Sequence, residues 1–313
     1  MAESIASVDT RKVSPNPENP RLIFHQDELE ALQDSIEKQG ILVPLTVYEE
    51  RGGYVILDGE RRWRCAMKLG LESVPAIIQP KPAPLQNLMM MFAIHHRRNE
   101  WDPLPTALKL EKLEQLYLDR YGVGPTESQL AEIASLTRGE VRRYKKLLRL
   151  PFHYRQLLMD ELAKPRSQQV LTVDHVLEAT AAAAALRKRG VVDDDGEDLL
   201  RRVIVERFQK KQIESTVDPR KFARLARAVD REEVTRLRAK SVIKKFVNNP
   251  GYTIADLFRE TVEAEDYRHS VEMLVDRTSE RLRDLRSRNF ELSDSLKVSL
   301  QSLLSQIKQT LRG

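Results

Sequence analysis

Strand-forming patterns are confined to the first 80 residues of this chain. Residues 42–48 carry β-branched and aromatic side chains, Arg51-Gly52-Gly53 is typical of a hairpin turn, and residues 54–57 form the returning strand. Residues 74–78 add a short β-branched strand before a proline-rich stretch. From Leu85 onward, apolar residues recur at helical spacing instead. The predicted fold class is therefore α+β, with a small α/β N-terminal domain followed by helices alone.

Helices are predicted both within that domain and beyond it. Leu29, Leu32 and Ile36 recur at helical spacing before Gly40, and a second helix is predicted to open at Gly59 and to run through Leu69. The predicted helices that follow cover residues 85–95, 103–121, 127–134, 138–149, 152–163 and 172–187.

The chain is predicted to contain three folded regions. Residues 1–13 are expected to be a flexible lead-in, 14–100 the α/β domain, 101–190 an all-helical middle domain, and 198–313 a helical C-terminal domain. The polar run 193–197 before the last domain is expected to be a loop or domain boundary. In the last 45 residues, apolar side chains at spacings of three, four and seven favour a long amphipathic helix or coiled coil. Such a helix would either join two chains as a dimer or pack on its own domain.

The composition of the chain limits the classes of function that it can have. The formal net charge is +5 and the pI about 9.2, a balance that favours polyanionic partners. Cys65 is the only cysteine, which excludes an intrachain disulfide; it is expected to be a small buried side chain on a helix. The chain has no run of 18 apolar residues and no signal-peptide pattern, so we expect a cytoplasmic protein without a membrane partner.

Residues 126–150 predict a helix-turn-helix. Thr126 and Gln129 have the spacing of a capping box, and residues 135–137 form a short turn before a second, basic helix. Recognition helices place their first residues at base edges and their flanks at phosphates. The candidates for base contact are Arg138, Glu140, Arg142 and Arg143, and those for phosphate contact are Lys145, Lys146 and Arg149. The alternative is a helical hairpin with a solvated basic face.

A phosphate-binding pattern occurs where a strand leads into a helix at Asp58-Gly-Glu-Arg-Arg-Trp-Arg64. Gly59 permits close backbone approach, and the free amides of a helix start suit a phosphate group. Arg61 and Arg62 add charged donors. The alternative is an ordinary strand-to-helix turn with a solvated basic face.

The order of the motifs resembles the ParB/sulfiredoxin-like superfamily, and specifically the ParB partition family, over residues 14–190. Asn16-Pro-Glu-Asn-Pro-Arg21 is similar to its first motif, and Gly59-Glu-Arg-Arg-Trp-Arg64 to its phosphate motif. The stretch 95–107 is similar to its next motif through Arg98, Pro103 and Ala107. The helix-turn-helix follows at the expected distance.

This resemblance implies a dimeric clamp that binds CTP with Mg²⁺, loads at a palindromic site on double-stranded DNA and hydrolyses CTP slowly. It further implies a partition ATPase as partner, and a bacterial nucleoid or plasmid as location. Gly59, Glu60, Arg61 and Arg62 would face the triphosphate. Asn19 and Arg21 would lie near its γ-phosphate, and His95 and Arg98 would belong to the second phosphate motif.

The chain departs from the family pattern at five positions. Ile94-His95 stands where the family has its metal-holding Glu-Asn pair, and isoleucine cannot ligate Mg²⁺, which argues against hydrolysis. Asn19 and Val43 replace glutamines, and Asp58 replaces a small residue. Glu60 is the candidate catalytic residue, and Asp58 with Glu60 could hold a metal instead.

Three hypotheses follow. The first is a site-specific DNA-binding protein of the ParB type, a nucleotide-gated clamp in plasmid or chromosome partition. The second is a ParB-like transcriptional regulator without nucleotide turnover, which the altered metal motif favours. The third is an enzyme, a ParB-like nuclease or NTPase of a mobile element or defence system, for which Asp58 is the main argument although the sequence lacks a dense carboxylate cluster.

Overall fold

The computed structural model describes residues 5–24, 26–95, 102–288 and 290–311. The chain divides into two compact units, one made of residues 1–184 and 195–220, the other of residues 185–194 and 221–313. The predicted fold class is confirmed: strands occur near the start of the first unit, and the described remainder is helical. The domain boundaries drawn from the sequence stay predictions.

The first unit begins with a mixed five-stranded sheet. Its strands are β1 (Ile5–Asp9), β2 (Val13–Ser14), β3 (Leu45–Glu50), β4 (Gly53–Asp58) and β5 (Ser73–Gln79), in the spatial order β1-β5-β3-β4-β2. β3 and β4 are antiparallel, β5 is parallel to β3, and β1 is antiparallel to β5. Arg51 and Gly52, which join β3 to β4, have φ values of 50° and 82°, as the tight turn of a two-residue hairpin requires.

Both faces of the sheet are covered, because its inner strands alternate apolar side chains between them. On one face Leu45, Val47 and Ile56 pack with Ala66 of α2 (Glu60–Lys68). Leu57, on the other face, packs with Met91 of α3 (Pro84–His95). Cys65 is buried in a cluster with side chains of α1 (Gln26–Gln39), as its position on an amphipathic helix predicts.

Helices follow the sheet, as the sequence predicts. A single apolar core includes Phe92 of α3 and Leu113 of the next helix, together with Leu130 and Val141 of the following pair. The remaining helices of this region are α4 (Pro103–Tyr121), α5 (Glu127–Ile133), α6 (Arg138–Leu148), α7 (Phe152–Leu162), α8 (Val173–Arg187) and α9 (Asp194–Gln209).

The second unit is helical throughout its described part. Phe222 and Phe246 anchor its core, with ring centroids 5.1 Å apart in an edge-on arrangement. Among the described residues, no helix combines the length and apolarity needed to cross a membrane. The helices are α10 (Arg220–Asp230), α11 (Arg236–Asn248), α12 (Ile254–Thr261), α13 (Glu263–Ser287) and α14 (Asp294–Thr310).

Three sequence-based expectations need correction. Residues 5–9 are not a flexible lead-in but strand β1, because they pair with residues 73–77 at the sheet edge. The polar run 193–197 is not a loop, since α9 begins at Asp194 and acidic residues favour a helix start. The last 45 residues form two helices instead of one, because Ser293 caps a new helix by accepting a hydrogen bond from the amide of Leu296.

Candidate nucleotide site and nucleic-acid interface

The first motif is an extended segment held against the start of α2. The Asn19 side chain donates a hydrogen bond of 2.7 Å to Oε2 of Glu60, and its Oδ1 accepts one of 2.9 Å from the backbone amide of Arg21. All three residues are buried, with exposed fractions of 7% for Asn19, 5% for Glu60 and 9% for Arg21. The structure therefore brings together three residues that the sequence assigned to one site.

The other carboxylate oxygen of Glu60 binds Arg64. Oε1 accepts hydrogen bonds of 2.9 Å from Nε and 2.6 Å from Nη2 of Arg64. The Arg64 guanidinium lies 4.0 Å from the ring centroid of Phe24, and that of Arg21 lies 5.0 Å from the same centroid. With three donors on its carboxylate, Glu60 joins the first motif to α2.

Arg62 organises the loop before β3. Its guanidinium donates 2.9 Å from Nη2 to Oδ2 of Asp58, and it also donates to the carbonyl oxygens of Val43 and, at 2.6 Å, Pro44. The side chain of Arg62 is 14% exposed. Val43, at the position of a family glutamine, is itself an exposed side chain.

Gly59 precedes α2 in a conformation that L side chains rarely adopt, with φ of 101°. A Cβ added here would lie 3.0 Å from the guanidinium carbon of Arg62 and 3.1 Å from Cγ of Leu45. Since glycine has no side chain, it cannot cap the first amides of α2. α2 has no side-chain cap from this position, and uncapped amides at a helix start suit a phosphate group.

The carboxylates proposed as metal ligands are engaged elsewhere. Asp58 pairs with Arg62, and Glu60 with Asn19 and Arg64. The described residues contain no group of three or more His, Cys, Asp or Glu side chains arranged for a metal. The part of the site that the structure describes therefore does not fit Mg²⁺.

The second phosphate motif is described only at its start. Ile94 packs against a buried cluster that contains Tyr48, Leu57 and Met91, so it serves the core. The side chain of His95 and the whole of Arg98 lie outside the described residues.

Sequence reasoning missed the residues that fix the first motif to α4. Glu18 forms ion pairs of 3.2 Å with Lys109 and 2.5 Å with Lys112, and Lys109 also donates to the carbonyl of Pro17. Burial raises the pKa of Glu18, but the hydrogen bonds from Lys112 and Lys109 outweigh it and leave the pKa below its usual value. More than 90 residues separate Glu18 from these lysines, so no local sequence pattern predicts the ion pairs.

The helix-turn-helix is built from two capped helices. The predicted capping box of Thr126 and Gln129 is present on α5, and a second, of Thr137 and Glu140, starts α6. Ser135 turns the chain between them with φ of 53°. The Glu140 carboxylate accepts 2.7 Å bonds from both the amide and the hydroxyl of Thr137. Glu140, a predicted base contact, thus has a capping role that its Thr-x-x-Glu spacing could have revealed.

Four cations of α6 are paired with acids of neighbouring helices. Arg142 bonds Glu127 at 2.9 Å, which lowers the pKa of that carboxyl group, and Arg138 lies 3.6 Å from the same residue. The others are Arg143, 2.9 Å from Asp174, and Lys145, 2.8 Å from Glu114. Because most of these groups are well exposed, the pairs hold the cations only weakly.

Lys146 and Arg149 are exposed and have no acidic partner among the described residues. They line, with Arg142 and Arg143, one side of an open groove of about 610 Å³ whose other side is α8. Of the seven predicted DNA contacts, these four cations therefore share one accessible groove, whereas Lys145 lies beside α4.

Comparison with known proteins defines the class. Residues 1–93 match the family model of the ParB N-terminal domain. The chain is 28% identical to Stage 0 sporulation protein J of Bacillus subtilis over 215 residues, 69% of this chain and 68% of that protein. It is 30% identical to a nucleoid occlusion protein of Geobacillus over 179 residues, 55% of this chain and 59% of that protein.

A solved ParB from Caulobacter crescentus, complexed to the centromeric parS site, covers 71% of this chain and 98% of its own. Its identity is 23% and its TM-score 0.43, too low to carry an argument. The family match over the N-terminal domain and the similarity to these relatives confirm the resemblance inferred from the motifs. The match to the ParB N-terminal domain family covers the first 93 residues, and the chain as a whole is similar to sporulation, partition and nucleoid occlusion proteins.

Proposed function

We propose that this protein binds double-stranded DNA site-specifically through α6, as a ParB-like partition or nucleoid-occlusion factor. One observation carries the proposal: the doubly capped α5–α6 pair exposes Arg142, Arg143, Lys146 and Arg149 along one groove. Long flexible donors on a rigid helix suit both base edges and phosphates. The ion pairs to Glu127 and Asp174 are weak enough for DNA to replace them.

The direct test is the double variant Arg142→Ala, Arg143→Ala. We expect it to lose most of its preference for a cognate duplex over a random one, as measured by fluorescence anisotropy at several salt concentrations. The matched control removes two exposed arginines from other helices of the same unit, Arg120→Ala and Arg202→Ala. An equal loss of preference in both variants would show that α6 does not read the duplex.

The start of α2 is proposed as a nucleotide site, and CTP is the nucleotide that the motif resemblance implies. Gly59 and the first amides of α2 would contact the triphosphate, with Asn19 and Arg21 placed beside them by Glu60. A nucleotide held there would supply the negative charge that the arginines of this region bind. Calorimetry with CTP, ATP and GTP tests this; absence of binding by all three would exclude a nucleotide-gated clamp.

We propose that the protein binds its nucleotide without hydrolysing it. Ile94 is partly buried against a core cluster, and Asp58 and Glu60 are held by arginines, which supports a DNA-binding factor that does not hydrolyse its nucleotide. Phosphate release above background with cognate DNA present would overturn this point. A metal-dependent nuclease needs side chains that hold its metal, and the described residues contain no group of three that could do so.

Dimerisation and a partition ATPase as partner remain proposals drawn from the family resemblance. The described part of α13 and α14 exposes apolar side chains such as Leu274, Val275 and Leu304, which would suit self-association. Sedimentation of the full chain with and without CTP and DNA tests the dimer.

A further inference from the structure

One part of the second unit, like residues 138–149 of the first unit, carries an excess of positive charge. Residues 221–261, which span most of α10 together with α11 and α12, contain ten Lys and Arg residues and five Asp and Glu residues. That excess of five equals the excess of the whole chain, which has 52 basic and 47 acidic residues. By contrast, α13 contains five basic and seven acidic residues. Within the second unit, the positive charge is therefore mostly local to residues 221–261.

The acidic residues of this segment are mostly committed to particular cations. Asp230 bonds Arg189 at 2.5 Å, and Asp256 pairs with Arg259 at 3.2 Å. Glu260 receives Lys245 at 3.0 Å and Arg238 at 3.7 Å. Three cations of α11 have no acidic partner among the described residues, namely Arg236, Lys240 and Lys244.

These three cations, called here the α11 basic row, lie on one face of the helix. They are spaced four residues apart and are exposed, whereas Val242 and Phe246 are buried in the core. At 1.5 Å per residue the row spans about 12 Å. Like charges four residues apart repel, and Arg236 in the first turn opposes the helix dipole. The row thus weakens the isolated helix, and a bound polyanion would remove that penalty.

We propose that the α11 basic row is a second nucleic-acid surface that binds the sugar–phosphate backbone of duplex DNA. Contacts of this kind add affinity without sequence preference, because phosphates are alike at every base step. The identification of the polyanion as DNA rests on the proposed function of α6. The row complements α6, since one surface reads sequence and the other holds the backbone.

The test uses the full chain with Arg236→Ala, Lys240→Ala and Lys244→Ala combined. The matched control, Arg277→Ala, Arg281→Ala and Arg283→Ala, removes the same charge from exposed positions of α13. Affinity for a random-sequence duplex is measured by anisotropy across salt concentrations. We expect the slope of log affinity against log salt to fall by about 2 to 3 in the α11 variant and to change little in the control.

A merely structural role would give a different result. Alanine favours helices and removes the repulsion, so the melting temperature of the α11 variant should be unchanged or higher. Equal slopes in the α11 variant and the control would overturn the proposal. So would a loss of binding to phosphatidylserine vesicles with the duplex slope intact. The two proposals can fail separately. If α6 does not read sequence, the parent protein will not discriminate between cognate and random duplex, but the α11 variant will still show the smaller salt slope.

Discussion

Replacing Glu60 by glutamine tests whether this carboxylate is the buried link between the first motif and α2. Glutamine has one acceptor oxygen, whereas the native carboxylate accepts from Asn19 on one oxygen and from Arg64 on the other. One of the two donors must then face an NH₂ group. Asn19 cannot solve this by turning its amide around, because its Oδ1 already accepts from the backbone amide of Arg21.

The size of the effect follows from burial. A buried donor left without an acceptor costs about 1–3 kcal/mol. Whether that donor is the Asn19 amide or the NH₂ of the new glutamine, it is buried, since residues 19 and 60 are only 7% and 5% exposed. We therefore expect Glu60→Gln to lower the unfolding free energy of the N-terminal α/β domain, here called the N-terminal module, by about 1–3 kcal/mol. The chain has two tryptophans, so in a Trp101→Phe background the fluorescence of Trp63, which sits on α2, follows urea unfolding of this module.

The control is Glu49→Gln, the same chemical change at an exposed position on β3. Surface changes of this kind usually stay within about 0.5 kcal/mol. If the two variants unfold at the same urea concentration, Glu60 is not the buried link described above. Its carboxylate would then be available to a ligand.

Three further outcomes are expected. Gly59→Ala should destabilise the N-terminal module by at least about 1 kcal/mol, because φ is 101° there, and calorimetry should show weaker nucleotide binding; unchanged stability and binding would contradict the strained turn. Asp174→Asn should raise duplex affinity up to about fivefold at low salt by releasing Arg143, and a lower affinity in anisotropy would show that the pair positions the arginine. The pKa of Glu18 lies below the ordinary value of 4.5, so its pairing is fully stabilising above that pH and is lost as pH falls through the lowered pKa. In Glu18→Gln, the pH profile of unfolding should therefore lack the loss of stability that accompanies protonation of Glu18. A profile identical to that of the parent protein would contradict the pairing with Lys112.

Features encoded over short distances could be predicted from the sequence. The capping box of Thr126 and Gln129 depends on a spacing of three residues, and the turn at Gly59 on a single residue that tolerates positive φ. The helices beyond the sheet were predicted for the same reason, since apolar spacing is a local signal.

Features that depend on distant partners could not be predicted. Strand β1 is ordered by pairing with β5, more than 60 residues away in the chain. Asn19 meets Glu60 across 41 residues, and Glu18 meets Lys112 across 94. The division between α13 and α14 was hidden because apolar spacing continues on both sides of it, although Ser293 is a readable cap.

The central claim is that α6 reads the sequence of a DNA duplex. Selection of bound duplexes from a random pool by the full chain, followed by sequencing, tests it most directly. We expect the parent protein to enrich one motif, and the variant Arg142→Ala, Arg143→Ala to lose that enrichment. Binding of the pool without enrichment of any motif, or the same motif from both proteins, would contradict it.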